Sequence, residues 1–165
     1  MTPIVFEVFG TPQPAGSKKA FGFRRRDGRV GATVVDDNRK SRPWKTLVSE
    51  TAAKVHPGPL LDGPLAVWFL FEVPRPKGHF GKRGLLPSAP NLPTVRPDVL
   101  KLARAVEDAL TGVLYRDDSQ IVHEVLMKRF GERARLLVTV KSLEAWASPM
   151  GAPEQRLLVS AEVSP

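Results

Sequence analysis

Residues 96–120 read RPDVLKLARAVEDALTGVLYRDDSQ, and the spacing within this stretch decides the fold around it. Val99, Leu102, Ala103, Val106, Ala109, Leu110 and Val113 recur at intervals of three and four, which lays them on one stripe of a helix. Such a stripe faces a core. Pro97 steers Arg96 away from helical backbone, and Asp98 follows as an N-cap able to accept a hydrogen bond from the first unpaired amides. Gly112 stands where a C-terminal cap is expected. On the outer side Leu100, Arg104, Glu107 and Thr111 fall together, about 100° from the centre of the apolar stripe. One short turn past the helix come Asp117 and Asp118, so two acidic clusters are offered to one site.

Working outward, Ile121–Phe130 and Leu136–Leu143 alternate as strands and are separated by Gly131-Glu132-Arg133, the pattern of a hairpin. Upstream, Leu65–Val73 (LAVWFLFEV) is apolar on both faces, as a central strand is. Between it and the helix runs a Pro- and Gly-rich connection, 74–97, longer than ordinary connections and therefore expected to carry a function. It holds Arg75, Lys77, His79, Lys82, Arg83 and Arg96. Ile4–Phe9 reads as a first strand. Ser17–Arg29 is the most basic segment: Lys18, Lys19, Arg24, Arg25, Arg26 and Arg29 flank Phe21 and Phe23. It reads as a phosphate-contacting loop with an aromatic for bases, or as a solvated hairpin turning at Asp27-Gly28 with both rings packed inward. Val30–Val35 is β-like. A second helix is expected from about residue 39 or 43 to Val55, with Trp44, Leu47, Val48, Thr51, Ala52 and Val55 on its core side. Asp36, Asp37 and Asn38 precede it as caps, the acidic pair having metal ligation as its alternative reading.

The order of elements implies an α+β domain with two main helices against a small mixed sheet. A chain of 165 residues is one domain by length and needs no staples. It has no cysteine, which excludes disulfides and thiolate metal sites. Twenty-five Lys and Arg against seventeen Asp and Glu, a formal charge of +8, point to a polyanionic partner. No apolar run approaches the ~20 residues of a membrane span, and the N-terminus lacks a signal-peptide pattern. No internal repeat, P-loop, zinc spacing or serine elbow is present.

The motif order resembles the RusA-type Holliday junction resolvases. That family carries Asp-x-Asp at a helix start, Lys or Arg four residues after the second Asp, Asp-Ala-Leu later in the helix, and Asp-Asp-x-Gln after the turn. The counterparts here are Asp98-Val99-Leu100, Arg104, Asp108-Ala109-Leu110 and Asp117-Asp118-Ser119-Gln120. A weaker resemblance extends to Gly16-Ser17-Lys18-Lys19 and Pro87-Ser88-Ala89-Pro90. The resemblance implies a homodimeric, magnesium-dependent endonuclease (manganese being the other candidate ion) on four-way or branched DNA in recombination and repair. It implies a bacterial or phage protein of the cytoplasm, with residues 1–144 as the nuclease domain and 145–165 as a C-terminal extension.

Catalytic roles then pass to Asp98, Asp118, Arg104 and Glu107, with Asp98, Asp118, Asp117 and Glu107 as metal ligands. DNA contacts pass to Lys18, Lys19, Arg24, Arg25, Arg26, Arg29, Lys77, Lys82, Arg83, Arg96 and Lys101. The departure is Leu100, where the family has an acid. Glu107, two turns on along the same face, is one substitute for it; a surface ion pair between Glu107 and Arg104 is the other reading. A junction-binding protein that cleaves poorly is the functional alternative, and an RNA-directed nuclease a more distant one. Carboxylates without His or Cys are the ligand type a hard cation prefers. Arg104, charged at every accessible pH, would act electrostatically. Residues 157–163 of the extension suit a strand or a partner contact.

Overall fold

The computed structural model describes residues 2–143 apart from 17, 26 and 37. The expectations for residues 145–165, and for Arg26 and Asp37, therefore lie outside the described residues. The chain runs β1 (Ile4–Phe9), β2 (Lys18–Arg24), β3 (Val30–Asp36), α1 (Ser41–Val55) and β4 (Leu65–Pro74). It continues through two short strands, β5 (Phe80–Gly81) and β6 (Gly84–Leu85), then α2 (Val99–Leu110), β7 (Ile121–Gly131) and β8 (Arg135–Ser142). This is the expected α+β arrangement, two helices on one mixed sheet.

α2 buries the stripe its spacing promised. Leu102, Ala103, Ala105, Val106, Ala109 and Leu110 are buried, and Val99 and Val113 pack at the margin. They meet Leu65, Val67, Phe69 and Phe71 of β4 and Leu136, Val138 and Val140 of β8. Gly112 follows the helix in the left-handed region (φ 76°) and donates its amide to the Tyr115 carbonyl, closing a turn that a side chain there would strain. α1 spans a narrower stripe than predicted: Trp44, Val48 and Ala52 are buried, whereas Leu47 and Val55 are exposed. Its N-cap residue, Lys40, makes no side-chain capping bond and its first turn holds no acid. Asp36 ends β3, and Asn38 takes the cap-like role, its side chain accepting the Lys40 amide at 3.1 Å.

The expected hairpin of β7 and β8 does not form. The sheet order is β1-β8-β4-β7, with β4 antiparallel to β8 and parallel to β7. β4 is apolar on both faces and gains most by lying between two strands, so it separates a pair that sequence adjacency would join. The turn after Gly131 therefore arches over the end of β4. A Cβ on Gly131 would stand 2.9 Å from the Glu72 carboxylate, so the crossing needs glycine. Glu72, only 5% exposed, is clamped by Arg135 and Arg129. The Arg135 hydrogen bond foremost, opposed by burial and helped by Arg129, holds its carboxyl below the usual carboxylate range.

β2 and β3 form a separate hairpin. Asp27 and Gly28 make the turn as read: Gly28 has φ 80°, and Asp27 accepts the Arg29 amide at 3.1 Å. Phe23 lies over Gly31, where an added Cβ would come within 2.8 Å of its ring, yet stays 44% exposed. The inward-packed reading thus holds for this ring only in part. No helix among the described residues is long and apolar enough to cross a membrane.

Candidate metal centre and nucleic-acid surface

β7 runs alongside α2 in the opposite direction, and this sets where each functional group falls. The start of β7 adjoins the carboxyl end of α2, while Lys128 near its finish donates to the carbonyls of Val95 (2.7 Å) and Pro97 (2.8 Å) before the helix begins. The register Val67↔Glu124 and Phe69↔Leu126 puts Glu124 on the helix-facing side of the sheet. There its carboxyl hydrogen-bonds that of Glu107, and Asp118 stands close enough to act on Glu107 as well. Glu107, Asp118, Ser119, His123 and Glu124 line one open cleft. Burial first, then the Glu124 hydrogen bond and the charges of Glu124, Asp118 and Asp108, push the Glu107 carboxyl up to about 8. Among the described residues no ion pair joins Glu107 to Arg104, so the surface-pairing reading gives way to a carboxyl pair.

The Asp117-Asp118-Ser119-Gln120 turn divides its work. Asp117 accepts the Ser119 amide at 2.9 Å, and the Ser119 hydroxyl first, with that amide second, holds its carboxyl below the usual range. Gln120 accepts the amides of Arg116 and Asp117 and donates to the carbonyls of Leu61 and Gly63, each at 3.1 Å. Asp117 and Gln120 thus brace the turn, and Asp118 is left facing the cleft. Asp117 lines a different depression, with Asp62, Arg116 and Val122. Beneath the cluster the fully buried Tyr115 donates its hydroxyl to the Glu107 carbonyl at 3.2 Å, and burial pushes its phenol pKa up.

Asp98 is not brought to this cluster within the chain. It occupies the N-cap position of α2 without a side-chain capping bond, nine residues and about 13.5 Å of helix axis before Glu107. Its neighbours are Thr11 to Gly16, Asn38, Arg96 and Lys101, lining a separate cleft. The Ala15 amide donates to the Lys101 carbonyl at 2.7 Å, tying the segment before the basic hairpin to the helix. Leu100 is 69% exposed. Arg104 is exposed on the outer face between the two clefts.

The basic residues gather at the Asp98 end. β1, β4 and β7 finish there and β8 begins, as the pairings Phe9↔Arg135 and Pro74↔Gly131 show. Segments 10–40 and 75–97 both leave from it. Arg24, Arg25, Arg29, Lys77, Lys82, Arg83, Arg96 and Lys101 are exposed, and Lys18 and Lys19 lie on β2. In the long connection Arg75 donates to the Pro90 carbonyl and sits 4.4 Å from the Phe130 ring centre, against which His79 also packs edge-on. Sequence reasoning missed Glu124. Glu124 shares the alternating phase of Leu126 and Phe130, but the other phase, with Val125 and Met127, is no less apolar, so alternation alone does not turn Glu124 inward.

The structure is thus a sheet backed by two helices with a cationic rim at one end and an acidic cleft at the other, and among the described residues no group of three or more His, Asp or Glu side chains is close enough to hold a metal ion. The chain belongs to the RusA endodeoxyribonuclease family, whose model matches residues 12–141. It is also 30% identical over 153 residues to the Uncharacterized protein YqaN of Bacillus subtilis (strain 168), a match covering 88% of this chain and 100% of that protein.

Proposed function

We propose that this chain is a homodimeric, magnesium-dependent endonuclease that resolves four-way and related branched DNA. Membership of the family supports the class of reaction and substrate. The observation that carries the metal reading is the placing of Glu107, Asp118 and Glu124 in one cleft, with one carboxyl hydrogen-bonded to another. Such a set is all oxygen, the donor type that suits magnesium or manganese, while within the single chain no three such side chains among the described residues are close enough to hold an ion. When bound there, the cation supplies neutralisation of the phosphate, a more acidic water and stabilisation of the leaving oxygen.

The chain's own residues do the rest. Asp118, Glu124 and Glu107 would hold the cation through carboxylate oxygens, and Glu107 would have to be ionised to do so. Arg104 stabilises negative charge developing on the phosphate. The hairpin and long-connection cations hold the DNA backbone without reading sequence, leaving selectivity to the shape of the junction. Asp98 and Asp118 stand apart within one protomer. The ligand role of Asp98 therefore belongs to an arrangement in which its end of α2 meets the acidic end of a second copy, and two such sites suit two symmetric cuts.

The exposed Leu100, standing where the family pattern has an acid, favours a second reading in which the protein binds junctions and cuts them weakly. Cleavage of a labelled four-way junction with magnesium separates the two. Cutting by wild type that Asp118→Asn and Glu107→Gln both abolish, with binding retained, supports the nuclease. Binding with cutting only after Leu100→Asp supports the junction binder.

A further inference from the structure

The sheet has two faces, and the helices cover one of them. The strand registers lay out the other face in rows across β1, β8, β4 and β7. Val5, Thr139, Trp68 and Val125 form one row, and Glu7, Leu137, Leu70 and Met127 form the next. On one side of these two rows lie Phe9 and the clamp of Glu72 between Arg135 and Arg129. On the other lie Lys141, Ala66 and His123, the His123 ring 5.8 Å from that of Trp68 between centroids. None of these side chains belongs to the hydrophobic core.

A sheet face turned to water normally carries the polar half of each strand's alternation. Here the two middle rows are apolar at Val5, Trp68, Val125, Leu137, Leu70 and Met127. Val5 is 58% exposed and Met127 44%, and the other four are half-buried by their neighbours alone. A contiguous apolar band of this kind marks a surface that something covers.

The chain itself is delivered to that surface. β8 ends in the pairs Ala66↔Lys141 and Leu65↔Ser142, and the Leu143 amide donates to the Pro64 carbonyl at 2.8 Å, so the next residue leaves beside the Lys141 row. Residues 144–165 follow, outside the described residues, and bring Trp146, Met150, Leu157, Leu158, Val159 and Val163. Glu144, Glu154 and Glu162 against the single Arg156 give this segment the opposite sign to the basic remainder. Four strands about 4.8 Å apart span about 14 Å, a width that about five extended residues cross, so every row is within reach.

We infer that residues 144–165 dock on the open face of their own sheet and bury Val5, Trp68, Leu70 and Leu137. β4, apolar on both faces, is then enclosed on both. The inference is independent of the cleavage chemistry.

The chain has no cysteine, so Val5→Cys in the full chain places a single thiol on this face. Val30→Cys, at a position 77% exposed on the β2–β3 hairpin, is the free reference. Docking should slow thiol labelling of Val5→Cys about tenfold or more below that of Val30→Cys, at every protein concentration. Changing Leu157, Leu158 and Val159 together to Asp should restore fast labelling, and hydroxyl-radical oxidation of Trp68 should rise with it. Trp44, only 4% exposed, should stay protected throughout, which separates undocking from unfolding. Should the triple variant expose Trp44, Val159→Asp alone takes its place. Fast labelling of Val5→Cys with residues 144–165 unaltered overturns the inference. Slow labelling that ignores the Asp substitutions, or that is lost on dilution, assigns the face to another occupant or to a second copy and overturns it equally.

Discussion

At its amino-terminal end α2 stands among Arg96, Lys101 and the Thr11–Gly16 segment; at its carboxyl end it stands among Glu107, Asp118 and Glu124. The helix dipole favours anions at the first end and cations at the second. On the proposed reading each cluster matches the ligand its end of the helix attracts, phosphate at one and a divalent cation at the other. The difference teaches that basic and acidic groups can be segregated along one helix, and that residues adjacent in a motif can stand at opposite ends of a chain's fold.

The sharpest way to break that comparison is to disable one end and read the other. Asp118→Asn should lower single-turnover cleavage about 100-fold or more while changing junction affinity by less than about threefold, because it removes a cation ligand and no phosphate contact. Cleavage that survives it would move the site elsewhere. The reverse experiment, Arg24, Arg25 and Arg29 changed together to Ala, should weaken junction binding and flatten its salt dependence by roughly two to three units of log–log slope. Cleavage at saturating protein should persist.

A third region supplies the contrast in stability. Glu72 touches neither end, yet it is buried between two arginines, and Glu72→Ala should cost about 3–5 kcal/mol in chemical denaturation. At the other extreme Lys45–Asp108, partly exposed at 27% and 43%, should cost under about 1 kcal/mol when Asp108 becomes Asn. Between these lies a pH effect. The folded Glu107 carboxyl titrates near 8, above its ordinary 4.5, so the unfolded chain releases this proton first. Glu107 therefore costs no stability below about pH 4.5 and progressively destabilises the metal-free fold as pH rises towards about 8. Thermal melts across that window should show the decline, and Glu107→Gln should flatten it.

Much of this was legible in residues 96–120, because helix spacing, the cap position of Asp98 and the Gly112 turn are local signals. The basic hairpin was legible for the same reason, through Asp27-Gly28. The sheet was not. Turn length and alternation suggested that β7 and β8 pair, and nothing local states that β4 lies between them. Glu124 was hidden with them: its strand alternates Glu, Leu, Lys, Phe against His, Val, Met, Arg, and neither face is apolar enough to announce which one meets α2. The separation of Asp98 from Asp118 was hidden by the motif itself, which gives acids in order and says nothing of which end of the helix each one stands at.

The most direct test of the division of labour is manganese binding followed by electron paramagnetic resonance on the full chain without DNA. Saturable binding should be lost in Asp118→Asn and in Glu124→Gln, and retained when Arg24, Arg25 and Arg29 are all changed to Ala. Absence of saturable binding in wild type, or binding that survives both acidic substitutions, would contradict the assignment of the cation to the carboxyl end of α2.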